Sequence, residues 1–179
     1  MPVYVAFLRA VNVGGRFVKM DAMRAALDDS GFEEVETHIQ SGNVRLRTAL
    51  RSPARVESAL EECLAAFAGF SVAAMVRTPQ QVRALEAEAD GIPPLLSPQG
   101  RRYVAVAKGP IGEESTAEME SYDATDERAR AMTGAVLLEY GLAFNQSKLS
   151  GARLERMAGQ PLTARDFKVI RALSEKWGA

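Results

Sequence analysis

Val35-Glu36-Thr37-His38-Ile39-Gln40-Ser41-Gly42-Asn43-Val44-Arg45-Leu46 reads as two short strands, Val35 to His38 and Val44 to Leu46, joined by the turn residues Gln40-Ser41-Gly42-Asn43. Two strands met in succession between helices decide the fold, because they split what would otherwise be a simple strand and helix alternation. Upstream, Val3 to Arg9 is β-branched and aromatic enough for a buried strand, and Asn12-Val13-Gly14-Gly15 breaks it into a loop. Met20, Met23 and Leu27 then share one face of a helix, with Gly31 placed as its left-handed end residue. Downstream, Ser52-Pro53 opens a second helix with the stripe Val56, Leu60, Cys63, Leu64 and Phe67, ending at Gly69, and Ser71 to Arg77 returns as a strand. The order strand, helix, strand, strand, helix, strand is the ferredoxin-like βαββαβ arrangement, in which right-handed crossovers stack two helices on one face of an antiparallel sheet.

The pattern recurs further on. Thr78-Pro79-Gln80-Gln81 is a capping box that starts a third helix running to about Ala89. Gly91 to Gly100 holds three prolines between glycines, too stiff for a helix and short of donors for a central strand, so it reads as a loosely packed connection open to proteolysis. Beyond it come a strand over Tyr103 to Ala107, a helix near Ser115 to Ser121, strands over Asp126 to Met132 and Ala135 to Tyr140 around a Thr133-Gly134 turn, and a helix around Ala152 to Ala158. Thr163-Ala164-Arg165-Asp166 reads as the start of a last helix that buries Phe167, Ile170, Leu173 and Trp177. The expected fold is therefore α+β, with two ferredoxin-like lobes and a C-terminal helix. The lobes span residues 1–90 and 101–179, and 91–100 joins them. The halves match in architecture and show no residue-by-residue correspondence.

Composition narrows the functional classes. The 179 residues are 47% hydrophobic and 25% charged, ordinary globular usage, and 22 Lys and Arg against 23 Asp and Glu leave a formal net charge of -1. That balance carries no global signature for nucleic acid or membranes, although a local basic patch fits inside it. One cysteine and one histidine supply neither a disulfide nor the usual zinc ligand set. The run Val3 to Val13 is interrupted by Arg9 and reads as a strand rather than a signal peptide, and no stretch is apolar enough to span a bilayer, so the cytosol is the expected compartment.

Polar residues break apolar strands at two places, Arg9-Ala10-Val11-Asn12-Val13-Gly14-Gly15 and Gln40-Ser41-Gly42-Asn43. The most economical reason is one shared site, which predicts that the two segments lie side by side. Gly14 and Gly15, followed by Arg16, Lys19 and a helix start, combine permissive backbone, amide donors and cations, the ingredients of an anion site. Neither the Gly-x-x-x-x-Gly-Lys-Ser/Thr phosphate loop nor Gly-x-Gly-x-x-Gly is present, and no cofactor is expected. Ser41 and His38 lack a third orienting group and the Gly-x-Ser-x-Gly elbow, so Ser41 reads as a turn residue and His38 as a partly buried strand residue. Cys63 lies on an apolar helix stripe and reads as a small buried hydrophobe. The acidic groups Asp28-Asp29, Glu33-Glu34 and Asp123 to Glu127 lack calcium-loop spacing and read as solvated ends, so no metal is assigned. Ser147-Lys148-Leu149-Ser150 and Thr163 to Lys168 both read as helix starts, where Lys148, Arg165 and Lys168 are cations that an anion would accommodate.

At these residues the chain resembles a bacterial family, the domain-of-unknown-function family 1697. Its N-terminal signature corresponds to Leu8-Arg9-Ala10-Val11-Asn12-Val13-Gly14-Gly15, Lys19-Met20 and Ile39-Gln40-Ser41-Gly42-Asn43. Its C-terminal signature corresponds to Ser147-Lys148-Leu149, Leu154-Glu155-Arg156 and Thr163-Ala164-Arg165. A tyrosine common in the family is His38 here, and its Asn-Trp-Asn-Thr segment is Asp166-Phe167-Lys168-Val169. The resemblance implies an α+β fold of two similar lobes and no particular activity.

The leading expectation is a protein that binds an anionic small molecule, a nucleotide or a short nucleic acid. The residues named for it are Arg9, Asn12, Gly14, Gly15, Lys19, Gln40, Ser41, Asn43, Lys148 and Arg165, in which guanidinium and ammonium groups supply charge and amides fix orientation. Two alternatives stay open: a metal-independent transferase or hydrolase acting on a small substrate at the same cluster, and a protein-interaction module that uses a sheet face or edge.

Overall fold

The hairpin that splits the first lobe is formed by β2 (Glu33–His38) and β3 (Asn43–Arg47), paired antiparallel with His38 opposite Asn43. The computed structural model describes residues 1–141 and 146–179. Among them β1 (Val3–Leu8), α1 (Met20–Asp29), α2 (Pro53–Ala68) and β4 (Ala74–Arg77) complete the first lobe, whose sheet runs β2-β3-β1-β4. After α3 (Pro79–Gly91) come β5 (Arg101–Ala107), α4 (Glu113–Ser121), β6 (Glu127–Met132), β7 (Ala135–Tyr140), α5 (Gly151–Ala158), β8 (Leu162–Asp166) and α6 (Phe167–Trp177). The second sheet runs β6-β7-β5-β8, the same order renumbered. Both halves are antiparallel βαββαβ units, each followed by one further helix.

Local chemistry accounts for most of the boundaries. The capping box at α3 is reciprocal: the Gln81 amide donates to Thr78 Oγ1 at 3.2 Å, and the Thr78 amide donates to Gln81 Oε1 at 2.9 Å. Pro53 sits in the first turn of α2, and Gly69 ends the helix at φ 74°. Val56, Leu60 and Leu64 are buried beneath α2 against Tyr4, Ala6, Leu8, Val44 and Leu46 of the sheet. Phe67, which the periodicity places on that stripe, is exposed instead, because it lies in the last turn beyond the edge of the core.

Two compact units result, one of residues 1–82 with 175–179 and one of residues 83–174, the division falling inside α3. The chain end belongs to the first unit. Trp177 donates from Nε1 to Glu36 Oε2 at 3.2 Å and meets the His38 ring edge-on at a centroid distance of 6.1 Å, so His38 is a half-buried strand residue backed by an aromatic wall.

The strand registers supply the correspondence between halves that the sequence alone does not show. Tyr4-Val5-Ala6 of β1 and Tyr103-Val104-Ala105 of β5 occupy equivalent positions: Tyr4 faces Leu46 as Tyr103 faces Leu138, and Val5 faces Arg77 as Val104 faces Arg165. The strand ends are anchored alike. Leu8 and Ala107 donate their amides to the carbonyls of Gly42 and Gly134, and Arg9 and Lys108 donate theirs to Ala73 and Pro161.

The C-terminal start signal is the principal departure from expectation. Thr163-Ala164-Arg165-Asp166 forms the fourth strand of the second sheet rather than the first turn of a helix, and Asp166, not Thr163, caps α6 by accepting the Lys168 amide at 2.9 Å. Pairing with β5 satisfies the backbone groups that a helix start would have left open. Likewise Ser150 caps α5 by accepting from Arg153, while Ser147 turns inward and donates to the Glu127 carboxylate at 2.5 Å.

The connection over 91–100 is tied down, contrary to its loose composition. Glu139, fully buried on β7, accepts the amides of Leu95, Leu96 and Gly100 at 2.9, 3.1 and 2.9 Å and pairs with Arg102 Nε at 3.1 Å. Arg102 in turn donates to the carbonyls of Ala89, Ile92 and Pro93. One ion pair thus pins both polar sides of a segment that has no ladder of its own.

Candidate functional site

The loop between β1 and α1 (9–19) and the hairpin tip (39–42) lie side by side, as the shared-site reading expects. Asn12 is the joint. Its Nδ2 donates to the Gln40 carbonyl at 2.9 Å, its Oδ1 accepts the Val18 amide at 2.7 Å, and its own amide donates to the Arg16 carbonyl at 2.8 Å. Both functions of this side chain are therefore engaged in closing the loop and fastening it to the tip, which makes Asn12 a positioning residue. Asn43 plays the same part inside the hairpin, fully buried, with Nδ2 donating to the His38 carbonyl at 3.1 Å and to Ser41 Oγ at 2.9 Å.

Backbone conformation in the two segments is unusual. Ala10, Asn12, Gly14 and Gly15 in the loop, and Ile39 and Gly42 in the tip, all have positive φ. For a β-branched residue such as Ile39, at φ 51°, this is a strained state that persists only when surrounding bonds impose it. Gly42 shows the constraint most sharply. It sits at φ +77°, and a Cβ there would lie 3.0 Å from Leu8 Cβ and 3.3 Å from Val11 Cβ. Gly42→Ala is expected to cost about 1–3 kcal/mol and to loosen the tip from the loop, read as a lowered urea midpoint with faster exchange of the Leu8 amide.

Of the cations named for the site, Arg9 is half buried at the strand exit, and Lys19 is exposed on the residue before α1. Arg16, on the same loop, is exposed, and its guanidinium lies 5.2 Å from the centroid of the Phe70 ring. Gly14, Gly15 and Gln40 are exposed, and Ser41 is half buried. Neither segment carries a carboxylate: residues 1–20 and 37–52 contain no Asp or Glu.

The C-terminal candidates belong to the second unit, and each is placed differently from its sequence reading. Arg165 is not an exposed cation at a helix start. It is buried in β8, donating to Thr163 Oγ1 at 2.8 Å and to the Ala164 carbonyl at 2.9 Å, and burial pushes its pKa down to about 10. Lys148 keeps an exposed side chain, but its amide is held by Glu127 Oε1 at 3.0 Å. Glu127 was not legible as a hub: nearly fully buried, it also accepts from Tyr122 Oη at 2.6 Å and from the Leu149 amide. Its carboxyl, and that of Glu139, lie below the ordinary range, because the donors around them outweigh a burial that by itself would raise them. The available signal was a lone carboxylate in the apolar run Ala135 to Tyr140. Among the described residues no three His, Cys, Asp or Glu side chains converge as a metal ion requires, and no helix is long and apolar enough to cross a membrane.

A solved structure described as conserved bacterial protein SP0830 from Streptococcus pneumoniae matches with a TM-score of 0.71 at 21% identity, covering 100% of this chain and 99% of that one, a likeness in fold. A search of curated proteins gives no match. The family model described as protein of unknown function DUF1697 matches residues 1–137. That span contains the loop and the hairpin tip, while the Ser147 and Thr163 segments lie outside it. The chain, matched over well more than half its length, belongs to the DUF1697 family.

Proposed function

We propose that the protein binds a phosphate-bearing anion, a nucleotide or a short nucleic acid in the cytosol, at the surface formed by the 9–19 loop and the 39–42 hairpin tip. The observation that carries this reading is internal to the chain. The second unit builds the same fold with five residues between β5 and α4 (108–112) and two between β6 and β7 (133–134). The first unit uses eleven (9–19) and four (39–42) at the equivalent connections. The fold does not require the additional residues. They bring left-handed backbone, the cations Arg16 and Lys19 beside Arg9, and amide groups, with no carboxylate on either segment. Backbone strain of this kind is maintained where it serves a site. In the second unit the corresponding loop has its polar groups taken up by the connection between α5 and β8, with Gln160 accepting the Gly109 amide at 2.6 Å and donating to the Pro110 carbonyl at 2.9 Å.

Titration with inorganic phosphate and with nucleotides at low ionic strength tests the reading. Saturable binding is expected, falling about five- to tenfold between 50 and 200 mM salt, as suits roughly two phosphate contacts. Replacing Arg16 and Lys19 together by alanine is expected to weaken binding at least tenfold, since hydrogen bonds to charged groups contribute about 1.5–3 kcal/mol each. The unfolding temperature should change little, because both side chains are exposed and the Arg16 contact with the Phe70 ring contributes only about 0.5–1 kcal/mol. Absence of binding at low salt overturns the reading.

A further inference from the structure

Phe17 is 80% exposed, the most exposed large apolar residue of the described chain, and it stands between Arg16 and Lys19 on the proposed anion-binding loop. Aromatic residues near this end of the sheet are occupied: Phe7 is buried in β1, Trp177 is buried against His38, and Phe70 is half buried and faced by Arg16. A phenyl ring left in water costs what burial would have recovered, and Val13 and Ile39, also exposed, extend the apolar surface on the same two segments.

The backbone on both sides of this ring is clamped. Asn12 holds the Arg16 carbonyl through its amide at 2.8 Å and the Val18 amide through Oδ1 at 2.7 Å, so Phe17 is fixed at both peptide neighbours. An exposed aromatic on a fixed backbone, with a cation on either side of it in the sequence, is a preorganised stacking platform with phosphate donors on the same short loop. Resting on the anion-binding reading above, we infer that the ligand carries an aromatic base as well as phosphate: a nucleobase stacks on Phe17 while Arg16 and Lys19 hold the phosphate. A free nucleotide and an unpaired nucleotide of a single strand share this chemistry.

The test compares AMP, ribose 5-phosphate and a single-stranded octanucleotide on the full chain, by calorimetry and by the shift of the Phe17 ring protons. AMP is expected to bind about tenfold tighter than ribose 5-phosphate, within the range that base stacking on an aromatic side chain supplies, with an upfield shift of the Phe17 ring. Phe17→Ala should abolish the difference without altering stability, and Phe17→Trp should preserve it. An octanucleotide that binds tighter than AMP, with a steeper salt dependence, identifies a strand as the ligand. Equal affinity identifies the free nucleotide. If AMP and ribose 5-phosphate bind alike, or Phe17→Ala keeps the preference, the stacking inference is overturned while anion binding stands. If neither compound binds at low salt, the anion reading itself fails and takes this inference with it.

Discussion

Glu139→Ala is expected to destabilise the protein by about 3–5 kcal/mol, the cost of leaving a buried guanidinium without its carboxylate. Arg102 is 8% exposed and Glu139 is fully buried, so no solvent replaces the lost partner, and the amides of Leu95, Leu96 and Gly100 lose their acceptor at the same time. For a chain of this size the melting temperature should fall by about 6–20 °C. The same change should expose 91–100: limited proteolysis is expected to spare this segment in the intact protein and to cut there first in the variant. A variant as stable and as resistant as the parent would show that the Arg102–Glu139 pair is replaceable. The pair also sets a pH dependence with a definite sign. Burial alone would raise the Glu139 carboxyl, but the amides of Leu95, Gly100 and Leu96 and the Arg102 guanidinium outweigh it and hold the carboxyl below 4.5. A carboxyl lowered on folding contributes stability above its unfolded value, and that contribution is lost as pH falls through the lowered folded value. Glu127 and Asp166 are lowered too, so the second unit should lose stability on acidification below about pH 4.5, with a shallower slope in Glu139→Ala.

Gly100→Ala is expected to be comparably severe for a steric reason. A Cβ at Gly100 would stand 2.3 Å from the Tyr140 carbonyl oxygen and 2.5 Å from its carbon, a contact with backbone that no rotamer relieves. Either β7 must shift or the 91–100 segment must lift from Glu139, at a cost of about 3 kcal/mol or more. Gly91→Ala is the matched control: nothing lies within 4 Å of its Cβ, and it ends α3, where alanine should be neutral or stabilise by about 0.5 kcal/mol. The urea midpoint should therefore fall in Gly100→Ala and stay level or rise slightly in Gly91→Ala.

Elements defined by nearest neighbours in the chain were legible from the residues alone. The turn read over Gln40 to Asn43, which the structure places one residue earlier at 39–42, the Thr78 and Gln81 capping box and the proline-led start of α2 each rest on bonds or dihedrals within a few residues, and the order of strands and helices follows from them. The loop and tip of the candidate site were legible for the same reason, since polar residues interrupt apolar strands there. What sequence reading misplaced was the burial of charge. Thr163 to Asp166 carries a capping pattern and an arginine, which together suggest an exposed helix start, yet it is a strand with Arg165 buried, because β5 offers an unpaired edge that no local pattern reveals.

Composition and periodicity determined the α+β class, the βαββαβ order of the first lobe and the positions of the two loops that meet at its end. Only the tertiary structure decided which carboxylates hold the chain together, and that Asn12 and Asn43 hold the 9–19 loop and the hairpin tip in place. The reason is the range of the bonds. The donors to Glu139 lie 37 to 44 residues away and the Gln40 carbonyl lies 28 residues from Asn12, so these partners exist only once the sheet has brought distant segments within hydrogen-bond reach.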